Sequence, residues 1–156
     1  MAEAIRQGDI PGVQLRRRQA LPIFVETAWE WVTDPVRLEL WLADEVETDL
    51  GPDGFLALTR HLPDGAQLIE RGGTVEIVPP SRWRLSFVLE NAGWEVATKV
   101  ILEVAPAPRG CEVMVFQGGF EQLSLSICLT EWEKYRHRWD EALQRLTAVV
   151  SAELSA

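Results

Sequence analysis

Two histidines, two cysteines and a short acidic run are the side chains best suited to chemistry, and their spacing does not assemble a reaction centre. His61 and His137 each stand alone, outside any His/Cys ligand pattern, so neither a metal-ligand nor a general-base role is expected of them. Cys111 opens a strand beside a turn and Cys128 precedes a helix; no C-x-x-C spacing joins them. Zinc and a disulfide framework are therefore unsupported, and inert thiols are expected. Glu45, Glu47 and Asp49 alternate along the chain, the pattern of a solvated strand face rather than a metal cluster. There is no G-x-S-x-G, no phosphate-binding glycine loop and no dinucleotide fingerprint. No catalytic constellation can be read, and neither metal nor cofactor is expected.

Composition narrows the partners. The 156 residues are 47% hydrophobic and 25% charged, ordinary for a folded domain long enough to bury a core. One domain over residues 1–156, with its core at about 13–150, is expected. A formal net charge of −9 argues against nucleic acid, whose binding rests on Lys and Arg neutralising phosphates. No apolar run reaches the roughly 20 residues a membrane-spanning helix needs. Residues Met1 to Gly12 lack the apolar core of a secretory signal. With so few cysteines, a reducing, cytoplasmic location is expected.

The elements follow from periodicity. Val13 to Ala20 alternates and predicts a first strand. From Val25 the period changes, with Val25, Ala28, Trp29 and Val32 on one helical stripe. Asp34-Pro35 ends that helix and starts another, since Asp caps a helix and Pro fits its first position; this second helix is predicted over Pro35 to about Leu42, with Leu38 and Trp41 on one side. Turn clusters at 51–54, 63–65, 79–81, 91–93 and 106–110 then separate about six strands. Trp83, Leu85, Phe87 and Leu89 share a face, as do Val96, Thr98, Val100, Leu102 and Val104, and then Val113, Val115 and Gln117. Arg84, Ser86, Lys99, Glu103 and Glu112 fall on the wet side. Gly72-Gly73 suggests a bulge or bend. A long helix is predicted from about Leu129 to Glu153, with Trp132, Tyr135, Trp139, Ala142, Leu143 and Leu146 on its apolar face. Glu131, Glu133, Lys134, Arg138, Asp140 and Glu141 are placed on its polar one. A strand, two short helices, six strands and a long helix make an α+β arrangement.

Four segments carry a family resemblance. Trp29 to Trp41 reads W-E-W-V-T-D-P-V-R-L-E-L-W, Gly72 to Phe87 reads G-G-T-V-E-I-V-P-P-S-R-W-R-L-S-F, Gly110 to Phe120 reads G-C-E-V-M-V-F-Q-G-G-F, and Trp139 to Leu146 reads W-D-E-A-L-Q-R-L. In this order they resemble the SRPBCC superfamily of START and Bet v 1-like folds, and within it the branch named for the activator of Hsp90 ATPase. The resemblance spans about residues 13 to 150. It implies a helix-grip fold, a curved antiparallel sheet wrapped around the C-terminal helix with a cavity between them. One departure is Gln117, which stands where the pattern often has His, so a role needing an imidazole there does not carry over.

Within that frame, the pocket-lining candidates come from several elements. Trp132, Tyr135 and Trp139 on the terminal helix would face Phe87 and Val115 on the strands, and Trp41 would join them from the second short helix. Seven tryptophans beside five phenylalanines and one tyrosine suit either a wide core or an apolar pocket. The family register puts Leu58 and Arg60 on the inward face, with Gln117. Arg60 would either grip a ligand carboxylate through paired donors or reach from the sheet edge into water. Gln117 would orient a carbonyl or hydroxyl, or sit hydrogen-bonded in the core. The function expected is binding of a small hydrophobic or aromatic molecule. A cyclase or dehydratase activity of the kind found in the superfamily is the enzymatic alternative, and stimulation of a chaperone ATPase is the protein-binding one. A homodimer or other protein partner is left open.

Overall fold

The computed structural model describes residues 14–156; Val13, expected to open the first strand, lies outside them. Strand β1 (Gln14–Leu21) leads into helices α1 (Val25–Thr33) and α2 (Pro35–Leu38). Six strands follow: β2 (Glu45–Asp49), β3 (Phe55–His61), β4 (Gln67–Val78), β5 (Arg82–Leu89), β6 (Thr98–Ala107) and β7 (Gly110–Gly118). A short 3-10 helix (Phe120–Gln122) then precedes the long helix α3 (Cys128–Ser155).

All seven strands form one antiparallel sheet in the order β1-β7-β6-β5-β4-β3-β2. Strands β2 to β7 are a meander, and β1 closes the far edge beside β7, with Leu15 opposite Gln117 and Leu21 opposite Cys111. The sheet is curved, with α3 across its concave face. Curvature has a local cause in β4, where the register slips between Thr74 and Glu76. The extra residue, Val75, points outward and is exposed, so the bulge lies just after the predicted glycine pair.

Side-chain parity sorts the two faces. Trp83, Leu85, Phe87 and Leu89 of β5, Val100, Leu102 and Val104 of β6, and Val113 and Val115 of β7 are buried. Opposite them, Arg82 and Arg84 pair with Glu76 across the outer face. The Arg82 hydrogen bond is the main reason the Glu76 carboxyl sits below the usual carboxylate range. The β6–β7 turn tucks beneath the chain leaving β1. At Gly110 φ is +147°, and a Cβ there would stand 2.3 Å from the Leu21 carbonyl oxygen, a position only glycine fills.

Four expectations need correction. Helix α2 ends at Leu38 rather than Leu42, and residues 39–42 turn so that Trp41 and Leu42 are buried. Val96 precedes β6 and is exposed. In α1 the buried indole is Trp31, with Trp29 only half-buried. Arg138 and Glu131, placed on the polar side of α3, are both buried. The helix sinks deeper than its charge pattern suggests, because the residues it meets on the sheet are polar as well as apolar.

Three of the indole nitrogens outside the site described below are held by acceptors, two of them on fully buried rings, Trp41 and Trp83. Trp41 Nε1 donates to the Trp31 carbonyl at 2.9 Å, Trp83 Nε1 to Thr74 Oγ1 at 2.9 Å, and Trp132 Nε1 to the Gln14 carbonyl at 2.9 Å.

Candidate functional site

Glu70 is the anomaly around which the site is built. Its side chain is fully buried, with 0% exposure, yet a lone buried carboxylate is costly enough that it must be paired. Strand pairing puts Glu70 opposite Leu58 on β3 and Leu89 on β5, on the concave face. Arg60 shares that face two residues further along β3. From the other side, Tyr135 and Arg138 lie one turn apart on α3, three residues being a single step along a helix face.

The four side chains meet in one network. Arg60 donates from Nε to Glu70 Oε1 at 3.2 Å and from Nη2 to Oε2 at 3.0 Å. Arg138 donates from Nη2 to Oε1 at 2.8 Å and from Nε to Oε2 at 3.1 Å. The Tyr135 hydroxyl donates to Oε2 at 2.6 Å. One carboxylate thus accepts from two bidentate guanidiniums and a phenol, the geometry for which arginine is suited.

Electrostatics fix the protonation states. Burial alone would raise the Glu70 carboxyl, but the charge and hydrogen bonds of Arg138, then Arg60 and Tyr135, hold it below its ordinary value of 4.5. Burial, followed by the charge and hydrogen bond of Glu70, drives the Tyr135 phenol well above 10.0. Glu70 is therefore a fixed anion and Tyr135 a fixed neutral donor near neutral pH. Neither is poised for proton transfer, which needs a group titrating near the working pH.

An aromatic shell surrounds Tyr135. Phe87 meets it edge-on with ring centroids 6.0 Å apart, and Trp94 and Phe120 stand at 5.5 Å and 6.1 Å. Trp94 belongs to the loop between β5 and β6. Its Nε1 donates to Glu131 Oε1 on α3 at 2.8 Å, and Lys134 Nζ lies 3.4 Å from the other Glu131 oxygen.

The structure brings three of the sequence candidates, Arg60, Phe87 and Tyr135, to this place. Leu58 adjoins Glu70 by strand pairing. Arg60 does engage a carboxylate with paired donors, but that of Glu70. A second polar cluster holds Gln117 and Trp139: Gln117 Nε2 donates to Thr98 Oγ1 at 3.0 Å, and Trp139 Nε1 donates to Gln117 Oε1 at 2.8 Å, all buried. Val115 is buried on the adjoining strand positions of β7. Trp41 lies with α1, bonded to Trp31. Trp132 turns to β1 and carries the Arg136 guanidinium 4.6 Å above its ring.

Sequence reasoning passed over Glu70, Trp94, Phe120, Glu131 and Arg138. Parity could have found Glu70, since Leu68, Glu70 and Gly72 alternate on the face that Arg60 shares. The steps Glu131, Tyr135, Arg138, Ala142 likewise run at four, three and four along one helix face.

The sheet's outer face carries an open groove of about 740 Å³ that includes Val75, Arg84, Lys99 and Phe116 in its walls. Among the described residues, no group of His, Cys, Asp and Glu could hold a metal ion, and no helix is long and apolar enough to cross a membrane.

Residues 23–151 match the family described as Activator of Hsp90 ATPase homolog 1-like protein. The chain belongs to that family. Solved structures share its fold. Protein CV1439 from Chromobacterium violaceum superposes with a TM-score of 0.74 at 22% identity, covering 88% of this chain and 96% of that one. Protein NE0264 from Nitrosomonas europaea gives 0.75 at 17% identity, covering 94% and 99%. The AHSA1 protein SPO3351 from Silicibacter pomeroyi gives 0.70 at 17% identity, covering 90% and 99%. At such identities the likeness speaks for the fold: this family member has the helix-grip architecture expected from its sequence. A search of curated proteins finds no match.

Proposed function

We propose that this chain binds a small apolar or aromatic molecule between the sheet and the N-terminal half of α3, against Phe87, Trp94, Phe120 and Tyr135. The observation that carries this reading is the way the shell is closed. Three of its rings come from packed elements, whereas Trp94 comes from a loop and is tied to α3 through its bond to Glu131. Swinging that one ring aside exposes an aromatic surface beside a polar anchor, the combination small-molecule sites use. The family's fold supports the reading, because it places a helix across a concave sheet. Acid–base catalysis is not favoured, since Glu70 and Tyr135 are each locked in one protonation state.

Native mass spectrometry of protein taken directly from its source cell, followed by a fluorescence titration against lipids and aromatic compounds, tests the proposal. A retained adduct, or a saturable change in Trp emission that Trp94→Phe removes, is expected. Protein that arrives bare and stays silent to the whole panel overturns it.

A further inference from the structure

The polar anchor at the site is electrically unbalanced. Arg60 and Arg138 contribute two permanent positive charges, and Glu70 returns one negative charge. Tyr135, facing them from α3, is neutral. The other acid on that face of α3, Glu131, lies seven residues before Arg138, roughly 10 Å along the helix, and has its own partners in Trp94 and Lys134.

Each guanidinium also has an idle edge. Both arginines spend Nε and Nη2 on Glu70, so Nη1 of each faces away from that carboxylate. Among the described residues neither Nη1 has a hydrogen-bond acceptor. For Arg138, whose side chain is only 5% exposed and whose guanidinium carbon lies 5.8 Å from the centre of the Trp139 ring, that leaves a buried charged N–H edge with no acceptor among the described residues, which native structures rarely tolerate. Arg60, at 24% exposure, leads from this interior to the surface.

We infer that the molecule bound here is an acid: an apolar or aromatic body carrying a carboxylate or similar anionic oxygens, which the free edges of Arg60 and Arg138 receive beside Glu70. This rests on the ligand-binding reading above and narrows it. Two guanidiniums offer parallel N–H donors to planar oxygens. The anion would bring the cluster to neutrality, while Glu70 keeps both arginines oriented in its absence. Arg60 and Arg138 are thus ligand-binding residues and Glu70 a positioning residue.

Matched pairs of probes separate this inference from the broader one. Calorimetric titration at pH 7 would compare 2-naphthoate with 2-naphthalenemethanol, and dodecanoate with dodecanol. The acid of at least one pair should bind about tenfold or more tightly than its alcohol, because a hydrogen bond to a charged partner exceeds a neutral one. Arg60→Met should erase most of that advantage, the acid losing affinity by a clearly larger factor than the alcohol. This variant keeps the buried Glu70–Arg138 pair, and a thermal melt confirms that it folds. Equal affinity for acid and alcohol overturns the inference but not the ligand-binding reading. Binding of none of the four overturns both.

Discussion

Arg138 Nη2 stands 2.8 Å from Glu70 Oε1, joining the N-terminal half of the terminal helix to the first half of β4 through two buried charges. Because neither partner reaches water, the contact behaves differently from the chain's many surface pairs. Glu70→Gln leaves two guanidiniums facing a neutral amide. Loss of one partner of a buried pair typically costs about 3–5 kcal/mol, and urea unfolding at pH 7 should show a drop of that order. Glu70→Met combined with Arg138→Met should lose clearly less than the sum of the single changes. Additive losses would show that the two side chains do not depend on each other.

Acid should attack the same contact. The Glu70 carboxyl is held below its ordinary 4.5 in the folded chain, so the unfolded chain binds its proton first as pH falls. The stabilisation is complete above about 4.5 and is lost as pH drops through the folded value. Tyr135 has the opposite sign. Its phenol is raised well above 10.0, so its contribution is full below 10 and fades as pH climbs towards the folded value. Unfolding free energies measured across pH should be flatter on the acid limb in Glu70→Gln and flatter above pH 10 in Tyr135→Phe. A wild-type slope retained in either variant would assign that limb to other groups.

How much of this was legible depended on whether a residue's environment is local. The alternation of Trp83, Leu85, Phe87 and Leu89 declares both a strand and its buried face, because parity along one strand is a property of neighbours in sequence. The Asp34-Pro35 cap is equally local: Asp34 Oδ1 accepts from the Val36 amide at 3.1 Å. Arg138 misleads for the converse reason. A charged side chain on a helix reads as solvated unless a partner 68 residues earlier in the chain is known to face it. Trp94 directly follows the 91–93 turn cluster, where no periodicity exists to assign it a face. The Pro63 turn, set in the family register, brought Arg60 inward, but the family pattern did not say that Glu70 would already occupy its donors.

Gln117 tests whether a buried amide is retained for structure. It accepts from Trp139 Nε1 and donates to Thr98 Oγ1, while Thr98 Oγ1 donates on to the Phe87 carbonyl at 3.0 Å. Gln117→Leu preserves bulk but orphans the indole N–H. An unsatisfied buried donor costs about 1–3 kcal/mol, readable in chemical denaturation. In a Trp139→Phe background there is no indole N–H to orphan, so the same substitution should then cost much less. A penalty independent of residue 139 would point to packing alone.

Trp94 carries the prediction closest to function. Its ring packs against Phe120 and Tyr135, and its nitrogen holds Glu131, so the two contributions can be removed one at a time. Trp94→Phe keeps an aromatic face and loses the hydrogen bond to a carboxylate, a loss of about 1.5–3 kcal/mol at most for such a bond. Trp94→Ala loses both. If the loop is the movable wall of the site, residues 90–97 should exchange amide hydrogens faster in the Phe variant and faster still in the Ala variant, with β4 and β5 unchanged. Exchange that accelerates equally across the whole sheet would mean that Trp94 belongs to the core, and that the shell opens only when the chain unfolds.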